Sequence, residues 1–170
     1  MTAAARPVSD VHLVQVNVAR LQAPLDSAQL KDFVDLLGPI NALADSAPGF
    51  VWRLQDASGN ATEIRFGSDP MLIVNLTVWE SVEALWQFAY HSRHMDLLRR
   101  RREWFERHAE SYLALWWVPA GTIPTTDDAH ERLSSLRANG PTPFAFTFRA
   151  QFTAEGSPVA SPPASDQMLG

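Results

Sequence analysis

The chain has 170 residues, enough for one domain with a sizeable core, and carries 14 basic against 19 acidic side chains for a formal net charge of -5. It contains no cysteine, which excludes a disulfide framework, thiolate metal sites, iron–sulfur ligation and cysteine nucleophiles. The acidic balance argues against nucleic acid as a partner, and no apolar run approaches the roughly 20 residues of a membrane span or the core of a secretory signal, so a soluble cytoplasmic protein with no membrane partner is expected.

Residues 1–10 read as a flexible leader. A first strand is expected over 12–20, with Val14, Val16 and Val18 facing one way and Leu13, Gln15 and Asn17 the other, because successive side chains of a strand alternate sides. Pro24 and then Asp26 or Ser27 announce a helix carrying Leu30, Phe33, Val34, Leu37, Ile40 and Ala44 at helical spacing; Pro39 inside it predicts a kink or break near Gly38. After Pro48-Gly49, the run FVWRLQD reads as a strand with Phe50, Trp52 and Leu54 on one face and Val51, Arg53 and Gln55 on the other.

Turn chemistry follows at 56–60. The strand over 70–80 alternates Leu72, Val74, Leu76 and Val78 with Ile73, Asn75, Thr77 and Trp79. One face is wholly apolar, and the other carries an amide and an indole able to hydrogen-bond something. Ser81, with Glu83 in the first turn, starts a helix, and a second helix is expected from about Ser92 to His108. A strand over 112–119, a short helix capped by Thr125 or Thr126 with Ala129, Leu133 and Leu136 as its stripe, and a final strand over 144–152 complete the order. The ordered domain is expected over 11–152, with a Pro-, Ser- and Ala-rich disordered tail over 153–170.

A β-α-β-β-α-β order is the signature of a ferredoxin-like α+β fold, an antiparallel sheet with helices on one face. The valine and leucine sets are expected under the helices. The amide face then needs a cover, either a second copy forming a barrel-like homodimer or the chain's own C-terminal helix and strand.

The segments HLVQVNVARLQAPLD, NALADSAPGFVWRLQD, MLIVNLTVWESVEAL, RRRREWFE, YLALWWVPAGTIPT and GPTPFAFTFR resemble, in order and spacing, the bacterial family known as domain of unknown function 3291. The resemblance implies a fold of the dimeric α+β barrel type, in a superfamily that also holds antibiotic-biosynthesis monooxygenases, haem-degrading enzymes and chlorite dismutase-like proteins. Family members often carry a histidine after Ala-Gly in WWVPAG, where this chain has Thr122, so a role resting on that histidine is absent here.

Several clusters are candidates for chemistry. His91 and His94 stand three apart, a spacing that can put two imidazoles on one helical face; without a carboxylate partner, surface histidines are the commoner outcome, and no metal site is expected. Either histidine can serve as a general acid or base at a cavity rim. His94 is the choice for a haem ligand if the resemblance to haem proteins extends that far. Four consecutive arginines, Arg99 to Arg102, spread around a helix rather than forming one patch, so a solvated face outweighs a phosphate site, with Arg101 or Arg102 able to turn inward. Trp52, Trp79 and Trp104 are placed to line a pocket for a flat apolar ligand.

Asn17 and Asn75 carry the strongest signal, with Gln15 and Thr77 beside them, since amides in central strands need partners. They either bond to each other or orient a substrate carbonyl or enolate oxygen. No glycine-rich phosphate loop, G-x-S-x-G elbow or zinc signature is present in the sequence. The favoured reading is a small-molecule biosynthetic or catabolic enzyme that binds an apolar oxygenated substrate against the amide face and performs cofactor-independent oxidation, isomerisation or cyclisation. A non-catalytic ligand-binding or dimerisation module is the alternative, and a haem-binding barrel protein the third.

Overall fold

The computed structural model describes residues 9–160. Strand β1 (Val11–Arg20) passes through a 3-10 turn (Ala28–Leu30) to helix α1 (Lys31–Asp45), then β2 (Phe50–Arg53), β3 (Leu72–Trp79), α2 (Val82–His91), α3 (His94–Arg99), α4 (Arg101–Trp104), β4 (Leu113–Pro119) and α5 (Thr126–Asn139). The four strands pair antiparallel in the order β2-β3-β1-β4, which is the ferredoxin-like α+β arrangement. The two strands with the clearest alternation, β1 and β3, occupy the centre, where both faces must pack.

Local chemistry sets the helix ends. Ser81 accepts the backbone N–H of Ala84 at 3.1 Å to start α2. Thr125 and Asp128 form a reciprocal capping box for α5, with bonds of 3.1 and 2.8 Å. The break expected near Gly38 does not occur: α1 runs through Pro39, which is exposed, so the carbonyl it leaves unpaired can be hydrated. Nor is there one helix from Ser92 to His108. Ser92 adopts extended backbone and its hydroxyl bonds back to the carbonyl of Phe88, ending α2; α3 and α4 are short, and Phe105 is extended again.

The face assignment is reversed from expectation. The valine and leucine set, Val14, Val16, Val18, Val74, Leu76 and Val78, packs against Ala129, Leu133 and Leu136 of α5 and against Phe66. Helices α1 to α3 instead roof the amide face, so the sheet is covered on both sides within one chain. The expectation of a homodimer rested on an uncovered face and on the family resemblance, and the first of these grounds is removed. Side-chain parity fixes which residues share a face but not which face a crossover helix takes.

The predicted last strand is reduced to isolated bridges and joins the sheet through one of them, in which Leu115 and Phe146 exchange backbone bonds of 2.8 and 2.9 Å. The segment wraps the free edge of β4, burying Ala145 on the α5 side and Phe146 and Phe148 on the other, and so shields an edge that would otherwise invite pairing. The disordered tail expected from 153 is instead a hydrogen-bonded turn at its start, with Thr153 N–H donating to the Ser157 carbonyl at 2.8 Å and Val159 N–H to that of Gln151 at 2.9 Å. Residues 1–8 of the leader expected over 1–10, and the rest of that tail, 161–170, lie outside the described residues. Among the described residues no helix is long and apolar enough to cross a membrane.

Candidate functional site

In the β1–β3 register, Leu13 faces Trp79, Gln15 faces Thr77 and Asn17 faces Asn75. These cross-strand pairs form one hydrogen-bonded chain. Trp79 Nε1–H donates to Thr77 Oγ1 at 2.9 Å, Thr77 Oγ1–H to Gln15 Oε1 at 2.8 Å, and Gln15 Nε2–H to Asn17 Oδ1 at 2.7 Å; Asn75 Nδ2–H donates to the same Asn17 oxygen at 3.0 Å.

The chain has a direction, because indole can only donate. Thr77 must accept from Trp79, so its proton goes to Gln15 and the amide of Gln15 donates onward to the Asn17 oxygen. What remains at the open end is Asn17 Nδ2, a donor, and Asn75 Oδ1, an acceptor, neither bonded among the described residues. Gln15 and Thr77 are buried, whereas Asn75 is exposed. Its exposure is to a cavity.

That cavity, about 420 Å³, lies between the amide face and the helices, a volume within the range of small-molecule sites. Phe33 and Ile40 of α1 and Phe88 of α2 supply apolar roof. Trp79 borders it while fully buried, stacked on Phe88 at 5.2 Å and edge-on to Phe50 at 5.3 Å.

His94 borders the cavity too. Its Nδ1 lies 3.1 Å from the Ala89 carbonyl, an acceptor, so Nδ1 carries the proton and Nε2 keeps its lone pair. Burial lowers its pKa, with the bond to Ala89 opposing. The result is a neutral imidazole at neutral pH with a free basic nitrogen.

The structure therefore brings together Gln15, Asn17, Asn75, Thr77, Trp79 and His94, and leaves out three expected residues. His91 is exposed at the end of α2; the break at Ser92 separates it from His94, so the two histidines do not share a helical face. Among the described residues no three His, Asp or Glu side chains are grouped to hold a metal. Trp104 is buried in a separate cluster with Leu21, Leu30 and Phe33, under the guanidinium of Arg100 at 4.9 Å. Trp52 is on the α5 side of the sheet. A bulge puts Phe50 opposite Trp79 but Trp52 opposite Val78; the extra residue, Val51, flips the parity, and Arg53, opposite Thr77, borders the cavity instead. No residue type in FVWRLQD marks that bulge.

The family model described as a domain of unknown function, DUF3291, matches residues 12–161. No curated protein matches the chain. Among solved structures the chain is similar to a monooxygenase from the gene ActVA-Orf6 of Streptomyces coelicolor in complex with the ligand nanaomycin D, at 18% identity over 68% of this chain and 95% of that one, TM-score 0.41. It is also similar to a Pseudomonas aeruginosa protein, at 12% identity, 68% and 98% coverage and TM-score 0.43, and to a Nitrosomonas europaea protein of unknown function, at 13% identity, 68% and 97% coverage and TM-score 0.41.

Proposed function

We propose that this chain, which belongs to the DUF3291 family, is an enzyme acting on a flat, enolisable small molecule held against its amide face. His94 Nε2 removes a proton from carbon next to a substrate carbonyl. The enolate oxygen so formed accepts hydrogen bonds from Asn17 Nδ2 and from the second Nδ2–H of Asn75. Reprotonation elsewhere gives isomerisation, attack on an internal carbonyl gives cyclisation, and reaction with dioxygen gives oxidation; each begins with the same step and uses residues alone to take the proton and steady the charge.

The observation that supports this reading is the conjunction, at one cavity, of a neutral imidazole with its basic nitrogen unprotonated and an amide donor whose orientation the Trp79 indole dictates. Preorganised donors are worth more to a developing charge than to a neutral carbonyl, which is what lowers a barrier. All the residues named come from one chain, so a homodimer belongs to this reading only through a surface other than the sheet faces. The reading also puts the protein in the cytoplasm, in a biosynthetic or catabolic pathway.

The test is proton exchange. Full-length protein in D2O with 2-tetralone, a bicyclic enolisable ketone, is expected to speed loss of the α-proton NMR signal over buffer. Asn75→Leu should keep the fold and lose most of that acceleration, and His94→Gln should abolish it. No acceleration by the natural chain, or an Asn75→Leu variant that unfolds rather than losing exchange, overturns the assignment. The competing reading, a module that binds without turnover, is favoured by the mutual bond between Asn17 and Asn75 at 3.0 Å and predicts saturable binding of the ketone with no exchange.

A further inference from the structure

The rim of the cavity is chemically unlike its floor. Within the arginine run, Arg99 lies 3.8 Å from Asp96, and Arg100 bonds Asp32 at 2.8 Å and Glu103 at 2.6 Å. Arg101 and Arg102, by contrast, border the cavity, together with Arg107 and His108. Among the described residues Glu106 is the one carboxylate on that border, and Arg20 holds it at 2.8 Å. Arg102 and Arg107 make no ion pair among the described residues.

These cations sit on a backbone that is held in place. Gln22 Nε2 donates to the carbonyls of Arg102 and Phe105 at 2.8 and 2.9 Å, Gln29 Nε2 donates to that of Glu103 at 3.0 Å, and Glu106 N–H donates to the Arg20 carbonyl at 2.9 Å. His108, stacked on Tyr112 at 4.2 Å, has its pKa lowered by burial and then by the charges of Arg102 and Arg137, a second sign of local positive excess. The protein as a whole is acidic, at -5, so the cationic rim is not a general property of its surface.

Resting on the cavity as a ligand site, we propose that its ligand is an anionic amphiphile: a flat apolar body under Phe33, Ile40 and Phe88, and a carboxylate or similar oxyanion received by Arg102 and Arg107. The strands set the scale. The rim segment joins β1 at Arg20 and Leu21 through the Leu21–Phe105 bridge, three to four residues from Asn17, or roughly 10–14 Å along the strand. That separation suits a ring system of two or three fused rings carrying its acid at one end and its reacting carbonyl at the other. Guanidinium and carboxylate make short charge-assisted bonds, and a focused positive potential at a cavity mouth steers an anion inward.

The experiment uses two dyes that differ by one sulfonate, 8-anilinonaphthalene-1-sulfonate and neutral N-phenyl-1-naphthylamine, titrated by fluorescence into the full chain. Both should bind, the sulfonate more tightly and with an affinity that falls as salt rises. The double variant R102Q/R107Q should weaken the sulfonate by about tenfold and leave the neutral dye within about twofold, within ordinary variation for a surface change. R93Q/R99Q removes the same charge outside this cavity and should move neither. If R102Q/R107Q acts no differently from R93Q/R99Q, or weakens both dyes alike, the anion assignment falls while the cavity stands. If the natural chain binds neither dye, the ligand site itself is refuted and the anion assignment with it.

Discussion

The indole N–H of Trp79 donates to Thr77 Oγ1 at 2.9 Å, three hydrogen bonds removed from the open amide of Asn17. That one bond decides which end of Asn17 meets a ligand. Without it, Thr77 can rotate its proton, Gln15 and Asn17 can flip, and the cavity meets an oxygen as readily as an N–H.

Trp79→Phe keeps an aromatic ring against Phe50 and Phe88 and removes the donor. The expected cost is about 1–3 kcal/mol, from a lost hydrogen bond and a smaller buried side chain, read as a lower urea midpoint with unchanged slope. The side-chain amide signals of Gln15 and Asn17, single in the natural chain, should broaden or double. Sharp, unshifted signals in the variant would show that the indole does not set the direction.

Acid should weaken the fold through His94. Burial lowers its folded pKa below the unfolded value, near 6.5. In the window below that value the unfolded chain binds the extra proton and the folded one does not, so stability falls as pH drops from about 7 through about 5. His108 is lowered as well and contributes with the same sign. Urea midpoints measured across this range should therefore slope less for His94→Gln, and less again for the double variant with His108→Gln. An equal slope in all three would place the titrating groups elsewhere.

The displaced tryptophans separate packing from binding. Trp104 is 1% exposed, so Trp104→Ala should cost about 3–5 kcal/mol. Trp52→Phe, on the α5 side, should leave binding of the neutral dye unchanged, whereas Phe88→Ala, which removes cavity roof and the ring against Trp79, should weaken it. Calorimetric melting and dye titration on the three variants check this. Loss of dye affinity in folded Trp52→Phe would return that residue to the cavity.

Alternation along 12–20 and 70–80 makes the central strands, their shared amide face and the cluster of Gln15, Asn17, Asn75, Thr77 and Trp79 legible in the sequence, since strand parity is a local property of the backbone. The mutual bonding of Asn17 and Asn75 was one of two outcomes the residue types allowed. Three things were not legible. The side taken by α1 and α2 depends on crossover geometry rather than on composition. The bulge at Val51 carries no sequence mark, and it exchanged Trp52 for Arg53. The break at Ser92 comes from its hydroxyl returning to the Phe88 carbonyl, an option serine always has and seldom announces.

Arg53 gives the last test, because the bulge made it structural as well as cavity-facing. Its Nε and Nη2 donate to the two oxygens of Asp45 at 2.7 and 3.2 Å, and its Nη1 donates to the Gly59 carbonyl. One guanidinium thus ties the end of α1, strand β2 and the 56–60 turn together. A lysine ammonium is a point charge and cannot span that fork, so Arg53→Lys should cost about 1–2 kcal/mol despite keeping the charge. Asp45 is 48% exposed against 12% for Arg53, and Asp45→Asn leaves the Gly59 bond in place, so it should cost less. Denaturation of both single variants and the double variant measures the coupling. If Asp45→Asn proves as costly as Arg53→Lys, the ion pair alone holds the corner and the bond to Gly59 contributes nothing.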